Sequence, residues 1–251
     1  MKINLVIHTF YPAIGPGGPI TSTLNTTKEL ANQNLEVFVS TSNCDTSKPL
    51  DVEVNKWIQF QDNLYVKYYK ETILGKLSLY QLFFLWQDIK KCDVIHIQGI
   101  FNISTPLALL YAYILNKPIL LSPRGALGEW CVNQNSKVKK MWLKFFIKPF
   151  LKKINWHVTA KQEEEEVKKL FNKTNCFIVP NGINFSNQKI RNKKEDKDYL
   201  IKKYSQIKNT NKIIICMARL QKIKGLDILI ESFAKTIELF PNSILLIAGR
   251  D

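Results

Sequence analysis

Short apolar runs rich in β-branched residues alternate along the chain with longer segments whose apolar residues recur at helical spacing. This alternation is typical of a mainly parallel sheet with helices on both of its faces. The predicted strands are 3–9, 35–40, 94–98, 119–122, 155–159 and 176–179, with a further short strand near 64–69. The predicted helices are 20–32, 77–91, 106–115, 138–150 and 162–171.

The pattern breaks at Pro180 and is followed by a polar, lysine-rich stretch with one short helix expected near 199–208. It then resumes with strand 212–217, helix 225–240 and strand 243–248. The predicted organisation is an N-terminal domain at 1–183, a basic linker at 184–211 and the first βαβ unit of a second domain at 212–251. A single βαβ unit cannot close its own core, so its strands either extend the first sheet or begin a domain whose remainder is missing, and we expect the second. The predicted fold class is α/β, with a Rossmann-like N-terminal domain built on a parallel sheet and an incomplete second Rossmann-like domain.

Composition excludes several classes of protein. Hydrophobic residues make up 45% and charged residues 23% of the 251 positions, so the chain is neither disordered nor fibrous. No apolar run approaches the roughly 18 residues of a membrane span. The first apolar stretch runs into His8 and Pro12, which indicates a strand and not a signal peptide. The five cysteines never form a CxxC pair, and this predicts free thiols in a reducing cytoplasm.

Lysine carries most of the net charge of +15, because only four of the 36 basic residues are arginines. Such an excess attracts anionic surfaces in general, whether membrane headgroups, nucleotide phosphates or nucleic acid. The sequence offers no recognition helix, zinc finger or RNP-like aromatic motif, so specific nucleic-acid binding is not expected.

Three glycines, Gly15, Gly17 and Gly18, lie between the first strand and the first helix. Glycines there let the backbone approach an anion, and the free N–H groups at the start of a helix favour negative charge. The loop does not match GxGxxG, so a dinucleotide site is not predicted. A turn without a ligand stays open as the alternative.

Two polar residues lie in or directly after predicted strands. His96 is flanked by isoleucines and is predicted to be a hydrogen-bonded core residue. Arg124 follows strand 119–122, at the strand end where ligands of open α/β sheets bind, and an arginine there can clamp a phosphate or a carboxylate. Pairing of Arg124 with a structural acid such as Glu129 is the alternative.

Residues 136–153 interleave seven lysines with four aromatic side chains. The pattern fits an interfacial helix that meets an anionic membrane surface through Lys137 to Lys153. It also fits a helix whose aromatic stripe packs on the core, and Pro149 is expected to end or kink it in either case. The four successive glutamates 163–166 predict the negative first turn of the next helix, from which one can still face a cleft.

Arg219, Lys224 and Gly225 form the most informative group. Arg219 ends a predicted strand, and Lys224 and Gly225 open the helix that follows. Two cations and a helix N-terminus at one strand end make a site for a diphosphate. Asp196 and Asp198 only imitate a metal-binding acidic pair, since they lie in a lysine-rich stretch with no strand before it. No metal site is predicted.

In the order of its motifs, the chain resembles the family 4 glycosyltransferases of GT-B architecture across almost its whole length. Besides the glycine loop, the matching stretches are DVIHIQG (93–99), SPRGALGEW (122–130), HVTAKQEEEEV (157–167), VPNGI (179–183), MARLQKIKGLDILIESF (217–233) and ILLIAG (244–249). The resemblance implies two Rossmann-like domains that face each other across a cleft, with the acceptor on the N-terminal one and the nucleotide sugar on the C-terminal one. It also implies retention of the anomeric configuration and no required metal or other cofactor.

The resemblance implies roles for matching residues. Arg219 and Lys224, with Gly225, would bind the donor diphosphate, and Gly17 and Gly18 would approach the donor phosphates or the acceptor. Arg124 falls where many members carry a catalytic histidine near the reacting sugar, within PRG instead of a proline–histidine–glycine context. The family's later pair of glutamates, separated by seven residues, has no counterpart, so we expect a fragment with impaired transfer.

The predicted activity is therefore that of a retaining hexosyltransferase. It would move a sugar from UDP or GDP to a glycan or lipid-linked acceptor in bacterial surface polysaccharide synthesis. The predicted location is the cytoplasm, peripheral to the inner face of the plasma membrane. The alternative is a non-catalytic module that binds anionic lipid or the acceptor.

Overall fold

A computed structural model of the chain describes residues 1–15, 17–45, 48–71, 78–182, 192–209 and 212–249. The chain divides into two compact units, Met1–Asn184 and Phe185–Asp251. The domain limit predicted at residue 183 lies outside the described residues, as do positions 184–191, 210 and 211 of the predicted linker.

The first unit is built on a mainly parallel sheet. Its strands are β1 (Lys2–Thr9), β2 (Glu36–Ser42), β3 (Cys44–Asp45), β4 (Lys48–Pro49), β5 (Trp57–Gln61), β6 (Leu64–Tyr69), β7 (Val94–Gln98), β8 (Ile119–Ser122), β9 (Ile154–Val158) and β10 (Asn175–Ile178). Among the described residues, eight of them form one sheet in the order β10-β9-β8-β7-β1-β2-β6-β5. Its neighbours run parallel except β5 and β6, and β3 and β4 make a separate antiparallel pair.

The helices of this unit connect the strands. They are α1 (Gly18–Asn32), α2 (Leu79–Lys90), α3 (Ser104–Ile114), α4 (Glu129–Asn133), α5 (Ser136–Trp142) and α6 (Lys161–Leu170). In β1, Leu5 and Ile7 belong to one buried cluster together with Ala31 of α1, whereas Val6 belongs to a second cluster with Leu85 of α2. Since successive strand side chains point to opposite faces, the two clusters cover opposite faces of the sheet. The α/β class predicted from the sequence is confirmed.

The segment 138–150, predicted as one helix, changes its hydrogen-bonding pattern twice. After α5 come a π-helical turn at Leu143–Ile147 and a 3-10 helix at Lys148–Lys153. Pro149 has no N–H to donate, so an α-helical ladder cannot run through it. The expected break is confirmed, and the single continuous helix is wrong.

In the second unit, α7 (Lys193–Lys203) begins earlier than the helix predicted near 199–208, so that prediction is wrong in its limits. The side chain of Asn192 caps it by accepting a hydrogen bond from the backbone N–H of Lys194 at 3.0 Å. Acidic residues in the first turn, including Asp196, add a favourable interaction with the helix dipole.

A βαβ arrangement follows. β11 (Lys212–Met217) and β12 (Ser243–Ala248) pair in parallel, and α8 (Leu226–Leu239) connects them. A 3-10 turn at Lys222–Lys224 precedes α8. Both strands have the limits that the apolar pattern predicts.

Candidate functional site

Polar side chains gather on one face of the first unit's sheet, at the carboxyl ends of β7, β8 and β9. The alternate residues of these strands, such as Ile97 and Leu121, lie in an apolar cluster on the opposite face. Gln98 is paired in register with Ser122. Because side chains alternate along a strand, His96, Gln98, Ser122 and His157 share the other face.

Hydrogen bonds connect these four side chains. Ser122 Oγ lies 2.9 Å from His96 Nε2 and 2.9 Å from His157 Nδ1. Gln98 Nε2 lies 2.8 Å from His96 Nε2. On its outer side, His157 Nε2 lies 3.1 Å from the carbonyl oxygen of Val179, which can only accept. A neutral His157 therefore carries its proton on Nε2 and leaves Nδ1 as an acceptor for the serine hydroxyl.

Both imidazoles are held neutral. Burial, reinforced by the nearby His157 and the Arg124 cation, lowers the pKa of His96 to about 3. The pKa of His157 is also lowered, mainly by burial. His96 is 5% exposed, so its prediction as a hydrogen-bonded core residue is confirmed.

Arg124 lies directly beyond β8 in an unusual backbone conformation. Its φ is +56° and that of Gly125 is +73°, so two successive residues occupy the left-handed region. Glu163 holds this turn from α6, because its Oε1 accepts the N–H of Gly125 at 2.6 Å. Its Oε2 accepts from the N–H and the hydroxyl of Thr159 at 2.7 and 2.9 Å.

Glu163 thus differs from the other members of the predicted glutamate run. The run lies in α6, and the prediction of an acidic first turn is confirmed for Glu163 and Glu164. Glu163 is nevertheless 5% exposed and faces inward. Four identical neighbours give no local signal for which one is buried, and sequence reasoning therefore did not single it out.

The guanidinium of Arg124 is fixed by two amides. Its Nε donates to Gln98 Oε1 at 2.6 Å, and its Nη1 donates to Asn181 Oδ1 at 2.7 Å. Glu129 instead contacts Lys169 at 3.3 Å, so the alternative in which Arg124 pairs with Glu129 is wrong. Asn181 lies in the VPNGI stretch and does not adopt a positive φ, and it reaches Arg124 through its side chain.

The glycine loop is partly occupied by an acid of the same chain. The backbone N–H groups of Ile14 and Gly15 donate to the carboxylate of Asp45 at 3.1 and 2.9 Å. Gly17 has a φ of +70° and precedes α1. Apart from its own chain neighbours, no described residue has a heavy atom within 4 Å of the position that a Cβ would take at Gly17 or Gly18, so the backbone there is open to approach.

In the second unit, the three predicted diphosphate residues lie at the carboxyl end of β11 and at the start of α8. Arg219 and Lys224 are exposed, and within the described ranges neither forms an ion pair. Gly225 has a φ of +61° and caps α8. Gly249 follows β12, and a Cβ there would lie 1.7 Å from the carbonyl oxygen of Ala218.

The sequence profile of Glycosyltransferase Family 4 matches residues 16–187, which is more than half of the chain. The chain belongs to glycosyltransferase family 4. No curated protein matches it.

Solved structures share the fold of this family 4 member at low sequence identity. Sucrose-phosphate synthase from Thermosynechococcus elongatus is 15% identical with a TM-score of 0.63, and the alignment covers 99% of this chain and 62% of that one. HepE of Anabaena in complex with UDP-glucose is 16% identical, with a TM-score of 0.64 and coverages of 98% and 60%. Starch synthase IV from Arabidopsis thaliana, bound to ADP and acarbose, is 14% identical, with a TM-score of 0.61 and coverages of 99% and 68%. The chain spans about three fifths of the length of the first two, and its fold is that of GT-B glycosyltransferases.

In the basic segment 136–153 of this family 4 member, some apolar side chains are exposed and others pack against the core. Phe145 and Phe146 are exposed, as are Val138 and Met141, whereas Trp142 packs against the core. The interpretation in which the aromatic side chains pack on the core is confirmed for Trp142, and contact of the segment with a membrane surface stays a prediction. Within the ranges that the structure describes, no helix is both long and apolar enough to cross a membrane.

Proposed function

We propose that this family 4 member acts in a retaining glycosyltransferase that moves a hexose from UDP or GDP to a glycan or lipid-linked acceptor. Family membership carries the proposal, because the profile spans residues 16–187. The GT-B fold supports it, and HepE, a structure with that fold, is in complex with UDP-glucose.

The donor side of the proposal rests on Arg219, Lys224 and Gly225. During transfer the bond from the anomeric carbon to the diphosphate breaks, and negative charge builds on the departing nucleoside diphosphate. Exposed cations beside a helix N-terminus stabilise such charge. Their exposure, with no ion pair inside the described part of the chain, leaves both cations free for this ligand.

The acceptor side rests on the first unit. Arg124 is proposed to contact the acceptor or the reacting sugar, since it lies at a strand end where ligands of parallel sheets bind. Gly17 and Gly18 are proposed to approach a phosphate or the acceptor with their backbone. Retention of configuration and independence from metal follow the family and belong to the proposal.

Isothermal titration of the chain with UDP and GDP tests the donor assignment. We expect the Arg219→Ala, Lys224→Ala double variant to lose at least about tenfold in affinity, because each cation contributes a charge-assisted contact to the diphosphate. Lys222→Ala removes a neighbouring charge from the same turn and is the matched control. Equal affinities of the double variant and the wild type would refute the assignment.

The exposed aromatic and basic segment favours a second candidate, a module that binds anionic lipid or a lipid-linked acceptor without chemistry. Its location would be the inner face of the plasma membrane, and its pathway bacterial surface polysaccharide synthesis. Side chains such as Phe145 would insert between lipids while lysines contact the headgroups.

Co-sedimentation with phosphatidylglycerol and phosphatidylcholine vesicles tests this candidate. We expect binding to the anionic vesicles only, and a Lys144→Gln, Lys148→Gln variant should bind them more weakly. Lys202→Gln, Lys203→Gln in α7 changes the net charge equally and is the control. Lipid binding without nucleotide binding would favour the module over the enzyme.

A further inference from the structure

The guanidinium of Arg124 has donors that its own protein leaves unused. Of its nitrogens, Nε and Nη1 donate to Gln98 and Asn181. Nη2 is buried and, within the described part of the chain, has no hydrogen-bond partner. A buried N–H donor of a charged group that lacks an acceptor costs free energy of folding. We therefore expect a ligand to supply the acceptor at this position.

Within the described residues, no carboxylate contacts this cation directly. Glu163 is the nearby carboxylate, and its oxygens accept from the backbone of Gly125 and from Thr159. Among the described residues no carboxylate forms an ion pair with Arg124. His96 and His157 on the other side are neutral at pH 7. Within the described ranges, the Arg124 cation is therefore balanced only through space by Glu163, without a direct ion pair.

The backbone indicates that the cation is held in place for a purpose. A left-handed backbone is unfavourable for a non-glycine residue, and Arg124 is followed by a second left-handed residue. Such conformations persist where the surroundings hold them, often at functional sites. Asn181, which holds the guanidinium from outside, is exposed, so the guanidinium lies close to the surface.

We propose that Nη2 of Arg124 binds an oxyanion, a phosphate or carboxylate group of the acceptor, and that Gln98 and Asn181 are positioning residues that aim the guanidinium at it. Assigning this anion to the acceptor rests on the proposed function. The N–H donors of Nη2 can form charge-assisted hydrogen bonds to an oxyanion, and fixing the orientation of the guanidinium beforehand reduces the entropy lost on binding.

Arginine side-chain NMR with inorganic phosphate and acetate as probes tests the proposal. The chain has only four arginines, so their ¹⁵N-labelled Nε signals are few and Arg→Lys variants assign them. We expect the Arg124 signal to move in a saturable way with at least one probe. A response to phosphate alone indicates a phosphate ligand, and a response to acetate as well indicates a carboxylate.

Variants of Asn181 test whether this residue orients the Arg124 guanidinium for anion binding or only stabilises the fold. Asn181→Ala removes one of the two supports and should weaken phosphate binding about five- to tenfold. Asn181→Asp keeps an oxygen for Nη1 but neutralises the cation, so it should weaken phosphate binding at least as much while the Arg124 signal stays dispersed. Asn175→Ala, an exposed asparagine at the opposite end of β10 with one side-chain bond to Asn155, is the control.

The outcomes are distinct. If neither probe moves the Arg124 signal, the oxyanion site is refuted. If phosphate moves it equally in the wild type and Asn181→Ala, the positioning role is refuted. A titration with UDP reads the proposed function separately through Arg219. An Arg219 response without an Arg124 response to either anion would leave the glycosyltransferase proposal standing and overturn this one.

Discussion

Acid should destabilise the first unit through His96. This side chain is 5% exposed, and its pKa is lowered from 6.5 to about 3 in the folded protein. Between these values the unfolded chain binds a proton that the folded chain does not. The contribution of His96 to the free energy of unfolding is therefore fully present above pH 6.5 and is lost as the pH falls toward 3. Integrating the linkage from pH 7 to pH 5 gives a loss of about 2 kcal/mol from His96.

Urea denaturation at pH 7 and pH 5 measures this loss. All five tryptophans lie in the first unit, so tryptophan emission follows its unfolding without a contribution from the second. His96→Gln cannot titrate at this position and should reduce the difference between the two pH values by about 2 kcal/mol. The remaining slope belongs to other groups, including His157, whose lowered pKa acts in the same direction.

Imidazole NMR gives the direct control. The chain has three histidines, so their signals can be assigned with single variants. We expect His96 to stay neutral at pH 5. A titration midpoint near 6, or an unchanged pH dependence in His96→Gln, would contradict the burial argument.

Two further predictions concern packing. Both carboxylate oxygens of Asp88 lie 2.7 Å from Lys67 Nζ. Asp88→Ala should lower the free energy of unfolding by about 3–5 kcal/mol in urea denaturation, because it leaves Lys67 buried without its partner. Glu53→Ala breaks an exposed ion pair and should change stability by less than about 1 kcal/mol, so similar losses in the two variants would count against this reasoning. Gly249→Ala would force its Cβ against the Ala218 carbonyl, 1.7 Å away, and move the segment that carries the proposed diphosphate site. Calorimetry should then show weaker UDP binding, and unchanged binding of a folded variant would show that the segment does not depend on this contact.

Much of the fold can be predicted because strand information is local. Four strands have the limits predicted from the sequence, namely Val94–Gln98, Ile119–Ser122, Lys212–Met217 and Ser243–Ala248, and the strand expected near 64–69 is found at Leu64–Tyr69. Each is a short apolar run bounded by polar or turn-forming residues, and a parallel sheet buries such a run on both faces. The change to π and 3-10 geometry after Trp142 is not local in this sense, because it depends on how Leu143 and Ile147 reach the core.

The candidate site, too, could be predicted only in part from the sequence. The sequence by itself determined that Arg124 and Arg219 lie at strand ends and that Lys224 lies at the start of a helix, since strand ends and helix starts follow from periodicity. Only the tertiary structure decided that Gln98, Glu163 and Asn181 meet around Arg124. Their side chains converge because three strands end and a helix begins at one edge of the sheet. The order of strands across a sheet is set by long-range packing, which no local pattern contains.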